Sequence, residues 1–323
     1  MPLVFPSSYP GAPRYLFNGH LQTIIPGALR QIHGLSYQRE RLELPDGDFL
    51  DLDWVRTHQK RLVIVTHGLE GDSGRHYVKG TAKLFSQEGW DALAWNCRSC
   101  SGEMNRAFRL YNHGEIGDIE VVIRHALQVG KYEEICLVGF SMGGNITLKY
   151  LGVYGSQVPK EIKTAVAFSA PLDLHSSAKL LDHSSNAFYK KRFLTKLSRK
   201  IRAKALQHPG LLDLAKLKTV KVWRDFDEAF SAVLGGYQNA DDFYTQASAR
   251  YFLAAISVPV LVVNAQNDPI LTPECTPTDL AKEHPFVFLE SPKSGGHVGF
   301  LVAGDEFSWA ERRALAFAQS TFS

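Results

Sequence analysis

A chain of 323 residues, 45% hydrophobic and 21% charged, has the composition of an ordinary globular protein and the length of one large α/β domain or two smaller ones. Its 36 Lys and Arg against 33 Asp and Glu leave a formal charge of +3, which excludes a nucleic-acid binder recognised by bulk electrostatics. The four cysteines, Cys97, Cys100, Cys136 and Cys275, give no disulfide framework and agree with a reducing compartment.

The opening MPLVFPSSYPGAPRYLFNGH has no charged segment followed by an apolar one, and its prolines recur too often for a membrane helix. A cytoplasmic protein is expected. Residues 1–36 form an arm in which the apolar stretch YLFNGHLQTIIPG precedes the first strand. That stretch is expected to cover the core and to line part of a pocket, and His20 and Gln22 need partners wherever they are buried.

Strand patterns follow: YQRERLEL and FLDLDWVR around a PDGD turn, then RLVIVTHG, DALAWNCR, EICLVGFS, TAVAFSAP, VPVLVVNAQ and FVFLES. From RLVIVTHG onward, helical patterns intervene: HYVKGTAKLFSQEG, DIEVVIRHALQVG and GGNITLKYLGVYG, each closed by a glycine suited to a helix C-terminus. Asp118, heading the second of these, reads as its N-cap. Cys97 and Cys100 in CRSC have redox-motif spacing but no second ligand pair for zinc, and read as plain turn cysteines.

Strand and helix in alternation imply a mostly parallel sheet flanked by helices, with the opening pair as an antiparallel edge. Between FSAP and VPVLVVNAQ the alternation stops for about eighty residues, too long for a bare connection. Residues 172–250 are therefore expected to be a helical cap inserted after the sixth strand of a single domain, whose core is 37–171 and 251–323.

In GFSMG, Gly139, Ser141 and Gly143 fit the G-x-S-x-G nucleophile elbow. A sharp strand-to-helix turn strains the serine backbone, and bulky residues two positions away on either side would collide with the turn. The motif follows a strand, precedes a helix and has no G-x-G-x-x-G pattern beside it, which argues against a nucleotide-binding turn. The helix start points its amides at the serine, so the N–H of Met142 is one expected oxyanion donor. HGLEGDSG supplies a turn of the kind that gives the second, the N–H of Leu69, with His67 fixing that loop. An elbow needs an acid and then a base, each after a later strand. Asp268 in NAQNDP and His297 in SGGHVGF lie at those places; Asp173 in SAPLDL is the competing acid.

From Tyr189 to Gly210 the chain carries Lys190, Lys191, Arg192, Lys196, Arg199, Lys200, Arg202 and Lys204 with no acid, while Leu194, Leu197, Ile201 and Ala205 recur at helical spacing. This basic amphipathic helix reads as a lid whose apolar stripe packs on the domain and whose charges are solvated. The sharper reading is transient contact of 189–204 with anionic lipid surfaces.

Taken together, NGHLQTI, HGLEG, NCRSCSGE, VGFSMGGN, DDFYTQAS, NAQNDP and GGHVGF resemble the YheT-like branch of the α/β-hydrolases, which includes the eukaryotic abhydrolase-domain proteins 1 to 3 and the yeast medium-chain fatty acid ethyl ester synthases. The similarity runs from about residue 15 to the C-terminus. It implies the α/β-hydrolase fold and a serine hydrolase with Ser141 as nucleophile, Asp268 as acid and His297 as base, acting on carboxylic esters of medium-chain or lipid-like acyl groups. Eukaryotic members often carry an N-terminal membrane anchor; this chain begins near the shared region, which predicts a soluble, bacterial member. The expected partner is a small-molecule ester, with no nucleic acid and no metal or organic cofactor required. An alcohol replacing water would make the same acyl-enzyme an acyltransferase, and a thioester would make it a thioesterase. A ligand receptor on the same fold is the competing class of function.

Overall fold

The computed structural model describes residues 3–321. Eight strands, β1 (Gln38–Glu43), β2 (Phe49–Val55), β3 (Arg61–Thr66), β4 (Asp91–Asn96), β5 (Glu134–Phe140), β6 (Ile162–Phe168), β7 (Val260–Val263) and β8 (Val287–Glu290), form one sheet. Their order is β1-β2-β4-β3-β5-β6-β7-β8. β1 and β2 pair antiparallel, as do β2 and β4, and the remaining pairings are parallel.

The near-continuous apolar runs of β3, β5 and β7 have a direct cause, since both sheet faces are covered there and these strands must be apolar on both, whereas the edge strand β1 is polar and largely exposed. Leu62 and Ile64 of β3 face one layer while Val63 and Val65 face the other, and all four are fully buried. The first layer is closed by α3 (Ile116–Val129) and α4 (Met142–Tyr154), which follow an arm helix α1 (Gly19–Leu29) and α2 (His76–Gln87) in the chain. The second is closed by α2 and by the C-terminal helix at Trp309–Thr321.

Between β6 and β7 lie α5 (Leu174–Leu181), α6 (Ala187–Gln207) and α7 (Trp223–Phe226), which runs through a π turn (Asp227–Ser231) into α8 (Ala232–Gly235), followed by α9 (Ala240–Ala247). These pack around an apolar cluster of their own that includes Leu181, Leu197, Ile201, Trp223, Phe226, Phe230 and Phe243.

Two expectations are corrected. Asp118 sits inside the first turn of α3; Glu115 is the N-cap and accepts from the N–H of Gly117 at 3.2 Å. Asp118 is drawn instead to Arg98, whose buried guanidinium also bonds Asp48, each at 2.8 Å, because a buried cation needs carboxylates around it. The charges of α6 are not all solvated either. Leu197 and Ile201 face inward as the apolar spacing requires, but Lys196, Lys200 and Lys204 turn inward beside them. Lys204 is fully buried and donates to the carbonyls of Asn105 (2.5 Å) and Ala107 (2.6 Å) and to the side chain of Gln207 (3.0 Å). Burial lowers its pKa to about 8. The two carbonyls lie 99 and 97 residues away in the chain, where a local reading of charge does not reach.

Cys97 and Cys100 are buried free thiols, both pushed up in pKa by burial. Among the described residues no helix is long and apolar enough to cross a membrane.

Candidate active site

Ser141 joins the end of β5 to the start of α4 with φ 53° and ψ −120°, a region that serine enters only under constraint. Its N–H donates to the carbonyl of Phe168 at 2.8 Å, and its carbonyl accepts the N–H of Asn145 at 3.1 Å. The turn is too tight for side chains on either flank. A β-carbon on Gly139 would lie 2.3 Å from the carbonyl oxygen of Gly143, and one on Gly143 would lie 2.3 Å from that of Thr66. Asn145 is fully buried, donating to the carbonyls of His113 (2.9 Å) and Ala247 (2.8 Å) and accepting from the N–H of Ala249 (2.9 Å). It ties α4 to the base of the cap.

Ser141, Asp268 and His297 come together. His297 Nε2 is 2.8 Å from Ser141 Oγ, and His297 Nδ1 is 2.8 Å from Asp268 Oδ2 and 3.1 Å from Oδ1. The Asp268 side chain is buried and also accepts the N–H of Ile270 at 2.9 Å. Asp173 is engaged elsewhere: it caps α5 through the N–H of Ser176 at 2.9 Å and pairs with Arg250.

The loops carrying Asp268 and His297 are braced by the arm, a function that the sequence did not disclose. Buried Gln22 donates to the carbonyl of Leu16 at 2.7 Å, and its side-chain oxygen accepts from Asn267 Nδ2 at 2.9 Å and the N–H of Gly295 at 2.8 Å. Thr23 Oγ1 accepts the N–H of His297 at 2.8 Å. His20 stacks on Tyr189 of α6, with Nδ1 3.1 Å from its hydroxyl. The partners demanded by His20 and Gln22 are thus α6 and the two site loops.

The loop after β3 reaches the nucleophile closely: a β-carbon on Gly68 would stand 3.0 Å from that of Ser141. His67 is fully buried, with Nε2 accepting the N–H of Cys97 at 3.1 Å and Nδ1 2.8 Å from the carbonyl of Gly68. Burial lowers its pKa to about 4, so it is neutral. Leu69 lies in the turn closed by the N–H of Gly71 on the carbonyl of Gly68 at 2.9 Å, and Met142 is the first residue of α4, where amide donors are left over by the helix.

Glu70, with φ 55°, fixes the next step of that loop. Its N–H donates to Tyr111 Oη at 3.0 Å, and its carboxylate accepts from the same hydroxyl at 2.5 Å and from Lys200 Nζ at 2.9 Å. Its carbonyl accepts from Arg75 at 2.7 Å and from Lys196 Nζ at 3.2 Å. The loop after β3 is therefore joined to α6. The four-residue spacing of Lys196, Lys200 and Lys204 was the available sign that one basic stripe shares a face.

Two cavities meet at Ser141, His297, Leu69 and Ile270. The inner one runs under the cap between Leu174, Leu181, Leu197, Trp223, Phe243 and Tyr244, all buried. Asp227 is its buried carboxylate, accepting from Tyr244 Oη at 2.7 Å and Ser231 Oγ at 2.5 Å, and Asn112 and Ser177 are further buried polar residues of the lining. The outer cavity lies between α1, the loop after β3 and α6, and the exposed side chains of Phe188 and Arg192 mark its opening to solvent.

The sheet, the strained serine turn and the loops after β7 and β8 define an α/β-hydrolase, and residues 61–303 match the family described as alpha/beta hydrolase fold. The chain belongs to that family, in its YheT-like branch. Over 291 residues it is 34% identical to the YheT protein of Escherichia coli (strain K12), which is named as an esterase; the match covers 88% of this chain and 84% of the relative. It is 28% identical over 310 residues to phospholipase ABHD3 of Mus musculus, covering 93% of this chain and 74% of the relative. Among solved structures, the Pyrococcus furiosus esterase Pf2001 has the same fold, with a TM-score of 0.59 at 17% identity over 90% of this chain and 96% of that one. The chain is an enzyme of the carboxylic ester hydrolase class.

Proposed function

We propose that the chain hydrolyses carboxylic esters of short- to medium-chain or lipid-like acyl groups through an acyl-enzyme on Ser141. The observation that carries this reading is the hydrogen-bonded line from Ser141 Oγ through His297 to Asp268, at 2.8 Å and 2.8 Å, opening on a buried apolar cavity. His297 Nε2 takes the hydroxyl proton as Ser141 Oγ attacks the acyl carbon, and Asp268 holds the ring tautomer and stabilises the imidazolium. The N–H groups of Met142 and Leu69 receive the oxyanion. His297 returns the proton to the departing alcohol, and water then repeats the sequence to release the acid. An acyl chain fits the inner cavity, where it exchanges water for apolar walls.

The test is hydrolysis of p-nitrophenyl esters from acetate to palmitate by the wild type and Ser141→Ala, with fluorophosphonate labelling in parallel. Turnover and labelling that both require Ser141, with a maximum at one chain length, are expected. Folded wild-type protein that neither labels nor turns over any ester would return the chain to the receptor class.

A second reading concerns the lid. The outer side of α6 exposes Lys191, Arg192, Arg199 and Arg202 with Phe188 and Leu206. That combination supports transient contact with anionic lipid surfaces. Vesicle sedimentation should favour anionic over neutral lipid; equal partition would remove the contact.

A further inference from the structure

The two cavities at Ser141 differ in charge. The inner cavity's lining contains no lysine or arginine, whereas the outer one is lined by Arg75 from the loop after β3 and by Arg192 and Lys196 from α6. Glu70 is the only carboxylate in that outer lining, and its charge is engaged by Lys200 and Tyr111. Arg75 donates to the carbonyl of Glu70 and makes a long ion pair, at 4.0 Å, with the half-buried Asp72. Lys196 donates to the same carbonyl, and Arg192 is exposed and makes no ion pair among the described residues. The lining histidine His76 adds no charge near neutrality, because burial, Arg30 and Arg75 lower its pKa to about 3. Burial and then the neighbouring Arg75 hold the pKa of Lys196 below its ordinary value; Glu70 opposes this, while Arg192 and Lys200 act with Arg75. Like charges gathered on one wall repel, and an anion seated among them relieves that repulsion.

An acyl chain has no use for such a wall, and the apolar cavity lies on the other side of the nucleophile. We propose that the outer cleft is an anion subsite for the leaving-group portion of the substrate, and that Arg75, Arg192 and Lys196 receive a phosphate carried on the alcohol or thiol. This rests on the ester-hydrolase reading above. Two guanidiniums and an ammonium match a phosphate, whose oxygens accept several charge-assisted hydrogen bonds at once. The phosphate is bound and not cleaved: Ser141 Oγ displaces the alcohol oxygen or thiol sulfur from the acyl carbon, the leaving atom takes its proton from His297, and the phosphate ester remains intact. Two sources share this chemistry, an acylated glycerol phosphate and an acyl thioester of a phosphopantetheine carrier such as coenzyme A.

The test compares kcat/KM for octanoyl glycerol phosphate, octanoyl-coenzyme A and neutral monooctanoylglycerol in the wild type, in Arg192→Glu, and in Lys160→Glu, a charge control at the opposite ends of the parallel strands. At least one phosphate-bearing substrate should exceed the neutral ester by about tenfold in the wild type, a factor typical of charge-assisted contacts. That advantage should fall about tenfold in Arg192→Glu and shrink with added salt, yet persist in Lys160→Glu. The favoured phosphate substrate identifies the source. Equal rates on all three, or a preference that survives Arg192→Glu, overturns the subsite and leaves the hydrolase reading standing. If nothing is turned over, the catalytic reading has failed, and phosphorus NMR of glycerol phosphate decides the subsite: a line perturbed by Ser141→Ala protein but not by Ser141→Ala/Arg192→Glu supports it, and no perturbation overturns it.

Discussion

Replacing Lys200 by methionine should separate stability from catalysis, because Lys200 joins α6 to the loop beside the nucleophile. Its side chain is 14% exposed and that of Glu70 is 6% exposed, with 2.9 Å between Nζ and Oε1. Removing one partner of a buried pair typically costs about 3–5 kcal/mol, since the other charge is left in a poor solvent. Here Tyr111 Oη still serves the Glu70 carboxylate and Lys200 retains some contact with water, so a loss of about 2–3 kcal/mol is expected. Catalysis should fall as well. Removal of a whole oxyanion donor costs about 10²–10³ in kcat, and a loosened loop should cost less, about 10–100-fold. Urea unfolding measures the first effect, and steady-state kinetics measures the second. Affinity for a trifluoromethyl ketone, whose adduct mimics the tetrahedral intermediate, should fall in step with kcat while KM moves little. The double variant Glu70→Gln/Lys200→Met removes both charges, so stability should return to within about 1 kcal/mol of the wild type. Its kcat should stay low, because α6 no longer holds the loop. Recovery of kcat together with stability would refute the positioning role and leave a structural pair.

Gly143→Ala should abolish activity and destabilise the fold, because the added carbon would lie 2.3 Å from backbone that cannot move without shifting β3; an active, stable variant would show that the elbow is looser than its dihedrals state. Lys204→Met should lower stability by about 3 kcal/mol in denaturant unfolding, since it strips buried acceptors of their donor, and a change below about 0.5 kcal/mol would mean that water replaces the ammonium. For Asp227, burial raises the carboxyl pKa to about 6. The folded chain thus holds a proton that the unfolded chain releases near roughly pH 4. This stabilising contribution is complete below that value and is lost as pH rises through about 6. Asp227→Asn should therefore gain on the wild type between pH 4.5 and 7.5, by at most about 3 kcal/mol in urea unfolding, and a constant difference would show that the carboxyl does not titrate there.

What the sequence disclosed follows from where the physical constraints are local. Strands buried on both faces must be apolar throughout, so VLVV at Val260–Val263 is readable without its neighbours. A serine at φ 53° needs small residues in the two flanking positions, so GFSMG announces its own turn. Gln22 and Thr23 are different. The site-loop partners of these two residues lie 245 to 274 residues along the chain, and nothing in HLQT says which loops it meets. Asp118 had the residue type and position of a cap, but the pull of buried Arg98 outweighed that local preference. The lysines of α6 failed as a solvated face for a similar reason, since the acceptors that draw Lys200 and Lys204 inward belong to segments read separately as strand ends and loops.

These long-range contacts share a pattern that bears on how the site is held. The His297 loop is fixed by the arm through Thr23, the Asp268 loop through Gln22 and Asn267, the loop after β3 by α6 through Glu70, and the helix behind Ser141 by the cap through Asn145. The sheet delivers each residue to the end of a strand, but the last hydrogen bonds that aim it come from segments outside the central layers. Such positioning matters because a displacement of about 1 Å can cost a hundredfold in rate. α6 takes part in two of these supports, through the Lys200–Glu70 pair and the contact of His20 with Tyr189, so displacing that helix would loosen the site from both sides.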